Sequence, residues 1–142
     1  MQDATLCELT PATVYRIMAL RCAVFVVEQQ CPYPDLDGRD EEPDARQLWV
    51  AEDGAVLATL RLLAEPDGRA RIGRVATAAH ARGAGLAAVL MHRALDLAGD
   101  RDVVLDAQSQ LASWYARFGF VTAGAEFVED GIPHTPMLRA RR

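Results

Sequence analysis

The run Arg71-Ile72-Gly73-Arg74-Val75-Ala76-Thr77, then Arg82-Gly83-Ala84-Gly85 and Leu86-Ala87, constrains this chain more than any other segment. A strand-like stretch ends, glycines make a short turn, and Leu86, Val89, Leu90, Arg93, Ala94 and Leu97 begin a helix at helical spacing. Val103-Val104-Leu105-Asp106-Ala107 then reads as a buried strand parallel to the first. The segment is therefore a strand–helix–strand crossover. Its turn directs backbone N–H groups and the positive end of a helix dipole at one point, which suits a phosphate or pyrophosphate. Gly83 and Gly85 permit positive φ and close backbone approach to such an anion. An ordinary loop before a helix is the plain alternative. The spacing is neither Gly-x-Gly-x-x-Gly nor Gly-Lys-Ser/Thr, and the fifteen basic residues are all arginine.

The remaining elements follow from local signals. Thr5–Leu9 reads as a short strand. Thr10-Pro11 is a helix start, with threonine as N-cap and proline at the first helical position. Val14, Ile17, Met18, Arg21, Cys22 and Phe25 continue that helix, which ends between Val27 and Gln30 because Cys31-Pro32-Tyr33-Pro34 cannot extend it. Strands at 48–52, 56–63 and 69–76 are joined by Asp53-Gly54 and Asp67-Gly68, so the middle of the chain is an antiparallel meander. A helix from Leu111 to Phe118 and terminal strands at Phe120–Ala123 and Met137–Leu138 complete the order.

At 142 residues the chain is expected to be a single domain. No apolar run approaches the roughly 20 residues of a membrane span, and the N-terminal residues carry Asp3 and Glu8 without a basic leader. A cytoplasmic protein is expected, with no membrane partner. The net charge of −5 argues against general nucleic-acid binding. Cys7, Cys22 and Cys31 have neither disulfide nor metal-ligand spacing; each is expected to be a small buried apolar residue, and no metal site is expected. Asp35, Asp37, Asp40, Glu41, Glu42 and Asp44 crowd together with only Arg39 among them. They form either a solvated loop or a negative rim that attracts a cationic amine.

Two motifs carry a family resemblance. Arg82-x-x-Gly85-x-Ala87 after a strand resembles the Gln/Arg-x-x-Gly-x-Gly/Ala signature of the Gcn5-related N-acetyltransferases, or GNAT superfamily. Gln108-x-x-Leu111-x-x-Trp114-Tyr115-x-x-Phe118-Gly119-Phe120 is similar to that family's later motif, a tyrosine-bearing helix ending in Gly-Phe. Arg21-x-x-Val24-Phe25-Val26-Val27-Glu28-Gln29, Cys31-Pro32-Tyr33-x-x-Leu36-Asp37-x-x-Asp40 and Glu129-Asp130-Gly131-Ile132-Pro133-His134 resemble the ElaA subfamily.

The resemblance implies an α/β fold: a mixed, mostly antiparallel sheet splayed between two central parallel strands and flanked by helices. It implies acetyl-CoA as cofactor, with Val75, Ala76 and Thr77 along the pantetheine arm. Arg82, Gly83, Ala84, Gly85, Leu86 and Ala87 would hold the pyrophosphate. Gln108 stands where many members have asparagine. The implied reaction is direct attack of a primary amine, from a small molecule or peptide, on the acetyl thioester. Tyr115 would assist the leaving sulfur, and Glu28 and His134 are candidates to take the amine's proton. Arg21 is either a buried partner of Asp37 or Asp40 or a contact for a substrate carboxylate, with the two aspartates also facing substrate. The different-class alternative is a non-catalytic acetyl-CoA sensor or partner-binding module, which needs the turn but neither Tyr115 nor a base. The sequence leaves a homodimer open.

Overall fold

The computed structural model describes residues 1–141. An eight-stranded sheet forms the centre, in the order β1 (Gln2–Thr5), β2 (Arg46–Glu52), β3 (Ala55–Ala64), β4 (Ala70–Thr77), β5 (Val103–Gln108), β8 (Ile132–Arg139) and β6 (Val121–Thr122). A further strand, β7 (Phe127–Glu129), also pairs with β8. The meander β2–β3–β4 is antiparallel, as its two Asp-Gly turns predict. Helices α1 (Pro11–Arg21), α2 (Leu86–Ala98) and α3 (Ala112–Ala116) flank the sheet.

Alternation along the strands separates two cores. Leu48, Leu60, Leu62 and Ile72 meet Leu90, Met91 and Ala94 of α2 on one face. Trp49, Val56 and Ala76 meet Ile17, Leu20 and Val24 on the other. The strand directions therefore place α1 and α2 on opposite sides.

Two features open a cleft in the middle of the sheet. The parallel pair β4–β5 holds register only at Ala70↔Val103 and Arg71↔Val104, and the strands then diverge. In β4, Thr59↔Ala76 is followed by Arg61↔Gly73, so Arg74 and Val75 together oppose one residue of β3. That bulge puts Arg74 at φ +53°, a left-handed conformation that a non-glycine residue adopts at a cost. It lies on β4 just past the point where pairing with β5 ends.

Helix α1 starts where expected: the Thr10 side chain accepts from the Thr13 N–H at 3.2 Å, and Pro11 takes the first helical position. Past Arg21 the helix widens into a π-helical stretch, Cys22–Glu28, with Gln29 N–H donating to Val24 O. Such widening is common beside functional sites.

Several expectations need correction. The first strand is Gln2–Thr5, not Thr5–Leu9. Thr5 N–H donates to Glu8 Oε1 at 2.9 Å, and that local bond turns Leu6–Glu8 into a 3₁₀ turn. The expected helix Leu111–Phe118 is a 3₁₀ turn at Ser109–Leu111 followed by the five-residue α3. The last strand is eight residues, not two, and pairs with β5 from Val103↔Arg139 to Gln108↔His134. Cys31 is buried, but Cys7 and Cys22 are exposed. Among the described residues no helix is long and apolar enough to cross a membrane.

Candidate active site

The divergence of β4 and β5 produces a cleft of about 1300 Å³. One wall is the end of β4, including Val75, Ala76 and Thr77; the other is the end of β5 at Leu105, Asp106 and Gln108. The glycine turn and the start of α2 enter it through Arg82, Gly83, Gly85, Leu86 and Ala87. Glu28, Asp37, Tyr115 and His134 also reach it. Among the residues singled out from sequence, Ala84, Arg21 and Asp40 do not line it.

The turn has the form an anion site requires. Gly83 and Gly85 lie at φ +86° and +76°, and a Cβ built on either meets nothing within 4 Å. The space in front of the turn is therefore open. Gly85 caps α2 without any side-chain hydrogen bond to its first turn. The first N–H groups of α2 are thus left free, with the helix dipole behind them.

Tyr115 projects from α3, 7% exposed, against Trp114 and Phe120 edge-on at 4.9 and 6.4 Å between ring centres. Its hydroxyl has no hydrogen-bond partner among the described residues. Burial pushes its phenol up to about 12, so it keeps its proton at neutral pH. His134 stacks on Phe127, and its Nδ1 lies 2.8 Å from the Ile132 carbonyl oxygen. A carbonyl only accepts, so Nδ1 carries a hydrogen and the lone pair of a neutral ring is on Nε2. Glu28 is paired differently: its Oε1 lies 2.8 Å from an Arg82 nitrogen. Gln29 and Gln108 exchange amide hydrogen bonds at 3.4 and 3.2 Å, joining the π-helical stretch to the end of β5.

The acidic loop departs from both readings of its sequence. Arg21 is wholly buried and donates to Asp35 at 2.8 Å and to Asp40 at 2.7 Å. Arg61 holds Asp37 at 2.7 Å and Asp40 at 3.4 Å. Arg74 reaches Asp35 and Asp37 at 3.0 and 3.2 Å, its guanidinium lying over the ring of Tyr33. Tyr33 in turn donates to Asp35. The loop is neither solvated throughout nor a free negative rim. Three of its carboxylates are matched by arginines from α1, β3 and β4, and Arg39 takes Glu42. Arg21 is thus a buried partner of Asp40, one of the two readings of its sequence, and of Arg21, Asp37 and Asp40 only Asp37 lines the cleft.

These charges hold each other ionised. Hydrogen bonds from Arg61 hold the Asp37 carboxyl well below the usual carboxylate range. Burial alone would raise Asp40, but the hydrogen bonds and charge of Arg21, with Gln47 and Arg61 adding to them, outweigh it and lower it.

The cleft is also lined by residues that sequence reasoning did not single out for the site: Tyr33, Arg61, Glu65, Arg71, Arg74 and Asp106. Arg71 donates to Glu65 at 2.7 Å and Asp106 at 3.2 Å, tying β4 to β5 where they begin to part. One signal was available. Arg61 interrupts the apolar run Val56–Leu63, and a charge inside such a strand needs a buried partner.

Residues 20–140 match the family described as the acetyltransferase (GNAT) domain. A UPF0039 protein of Mycobacterium tuberculosis is 48% identical over 136 residues, covering 93% of this chain and 87% of the relative. The crystal structure of an acyl-CoA N-acyltransferase from Pseudomonas aeruginosa is 42% identical, with a TM-score of 0.92 and 98% of each chain covered. The crystal structure of Escherichia coli ElaA is 38% identical, with a TM-score of 0.91 and 97% of each chain covered.

Proposed function

The chain belongs to the GNAT acetyltransferase family, in its ElaA-like branch, and from that premise we propose that it moves the acetyl group of acetyl-CoA to the primary amine of a small molecule or peptide. The whole chain acts as one N-acetyltransferase unit. One observation carries this reading: the open glycine turn at the head of α2 and the Tyr115 side chain, whose ring is packed in the core, line the same cleft.

Acetyl-CoA supplies the activated thioester, and the protein supplies position and proton handling. The free N–H groups of α2's first turn and Arg82 hold the pyrophosphate. The edge of β4 at Val75–Thr77 that is unpaired with β5 guides the pantetheine arm, and Gln108 faces it from β5. The amine nitrogen bonds to the thioester carbonyl carbon as the carbon–sulfur bond breaks. Tyr115 gives its proton to the departing sulfur, a role its high pKa permits because the proton is still present at neutral pH. His134 Nε2 takes the proton that the nitrogen sheds. Of the two base candidates, His134 offers an unengaged lone pair, whereas Glu28 is ion-paired.

The test is calorimetric titration of acetyl-CoA into the wild type and Gly85→Glu. A glutamate there projects into the open space and sets a carboxylate against the incoming pyrophosphate. Lost binding in a folded variant supports the reading; unchanged affinity overturns it.

A further inference from the structure

Glu28 and Arg82, both lining the cleft, are ion-paired to each other. Glu28 ends the π-helical stretch after α1, and Arg82 opens the glycine turn before α2. The Glu28 Oε1 accepts from an Arg82 Nη at 2.8 Å, and Arg82 Nε donates to the Thr77 carbonyl at 3.2 Å. The guanidinium is therefore committed twice in the free protein: to a carboxylate and to the strand that flanks the cleft. The pair does little for the fold, because its side chains are 45% and 43% exposed. Its geometry matters more. Both residues line the cleft together with Gly83 and Gly85, before which the space is open.

We propose that Glu28 is a competing anion built into the cofactor site. It holds Arg82 in the free protein and yields it to the cofactor's pyrophosphate, so the carboxylate sets how tightly the cofactor is held. This rests on the reading of residues 82–87 as the pyrophosphate site. A pyrophosphate bears more negative charge than one carboxylate and also gains the free N–H groups of α2, so it wins the exchange. The exchange breaks one ion pair and makes another, which moderates affinity. The same carboxylate recaptures Arg82 when CoA departs, which assists release of the product.

The experiment is a double-mutant cycle read by calorimetry at low salt. CoA, and pantetheine as a probe lacking pyrophosphate, are titrated into wild type, Glu28→Gln, Glu28→Ala, Arg82→Gln and the Glu28→Gln/Arg82→Gln double variant. Removing the competitor should tighten CoA binding about two- to five-fold, the range of an exposed ion pair. That gain should vanish in the Arg82→Gln background, and pantetheine binding should stay constant across the series. The isosteric Glu28→Gln keeps the test sound if Glu28→Ala folds poorly. An unchanged CoA affinity overturns the proposal. So does an equal gain without Arg82, which is a general charge effect, or tighter pantetheine binding, which makes Glu28 a simple steric block. CoA that binds neither wild type nor variants, or that is indifferent to Arg82→Gln, removes the pyrophosphate site itself and the competition with it. CoA that binds through Arg82 but ignores Glu28 removes the competition alone.

Discussion

Nη1 of Arg21 stands 2.7 Å from Oδ1 of Asp40, and both side chains are shut away from solvent. Asp35 completes the pair at 2.8 Å. The loop over this network has few apolar side chains to bury, and charge seats it on the sheet beside the cleft. Arg21→Leu leaves two buried carboxylates without their main partner. It should lower unfolding free energy by about 3–5 kcal/mol, the usual effect of breaking a buried ion pair. Urea denaturation measures this. A loss below about 1 kcal/mol, within the range of an exposed pair, would mean that the network contributes little.

Acid should loosen the same region. Asp37 and Asp40 have folded-state pKa values below those of the unfolded chain. Their stabilisation is therefore present above the unfolded value of about 4 and is lost as the pH falls below it. Urea midpoints taken downward from pH 5 should decline, and Asp37→Asn should decline less steeply because it has one such carboxylate fewer. Parallel curves for the two proteins would contradict this.

Tyr115→Phe removes one oxygen and keeps the ring against Trp114 and Phe120. If the hydroxyl protonates the leaving sulfur, turnover should fall about 10²–10⁴-fold while acetyl-CoA affinity stays within a factor of two or so. Burial keeps the phenol protonated to about 12, so the wild-type rate should show no descending limb from Tyr115 between neutrality and pH 10. Steady-state kinetics with saturating acceptor, together with calorimetry, separate the two effects. Equal turnover would reduce Tyr115 to packing.

His134→Gln keeps a polar side chain at the position but removes the basic ring nitrogen. The rate should fall about 10²–10⁴-fold at neutral pH while acetyl-CoA affinity is kept. An unaltered rate would remove His134 from proton transfer.

The parts of the fold that were legible in sequence are those whose signals are local. Thr10-Pro11 marks the start of α1, Asp53-Gly54 and Asp67-Gly68 mark the meander, and the Gly83–Gly85 turn marks α2. Strand β8 carries Pro133 and Pro136, residue types that weaken a strand signal, yet both are accommodated opposite Val128 and Asp106. The acidic loop was misread for another reason. Its partners Arg61 and Arg74 lie more than 20 residues away along the chain, and charge counting within a window cannot see them. The bulge at Arg74 and the π-helical stretch leave no mark in composition. The glycine turn and the Gln108–Tyr115 stretch were legible as parts of the cleft because each is a short motif; Tyr33, Arg61, Glu65, Arg71, Arg74 and Asp106 come to the same cleft from separate places along the chain and were not.

The most direct measurement is acetyl transfer itself. Wild-type protein is incubated with acetyl-CoA and a panel of primary amines and amino-terminal peptides, with free thiol followed in time and each amine weighed by mass spectrometry. The account predicts thiol release that depends on the amine, with at least one amine gaining one acetyl group per thiol released and with both signals lost in Tyr115→Phe. Tight binding of acetyl-CoA with no acetylated amine, or thiol release that ignores both the amine and Tyr115, would contradict it.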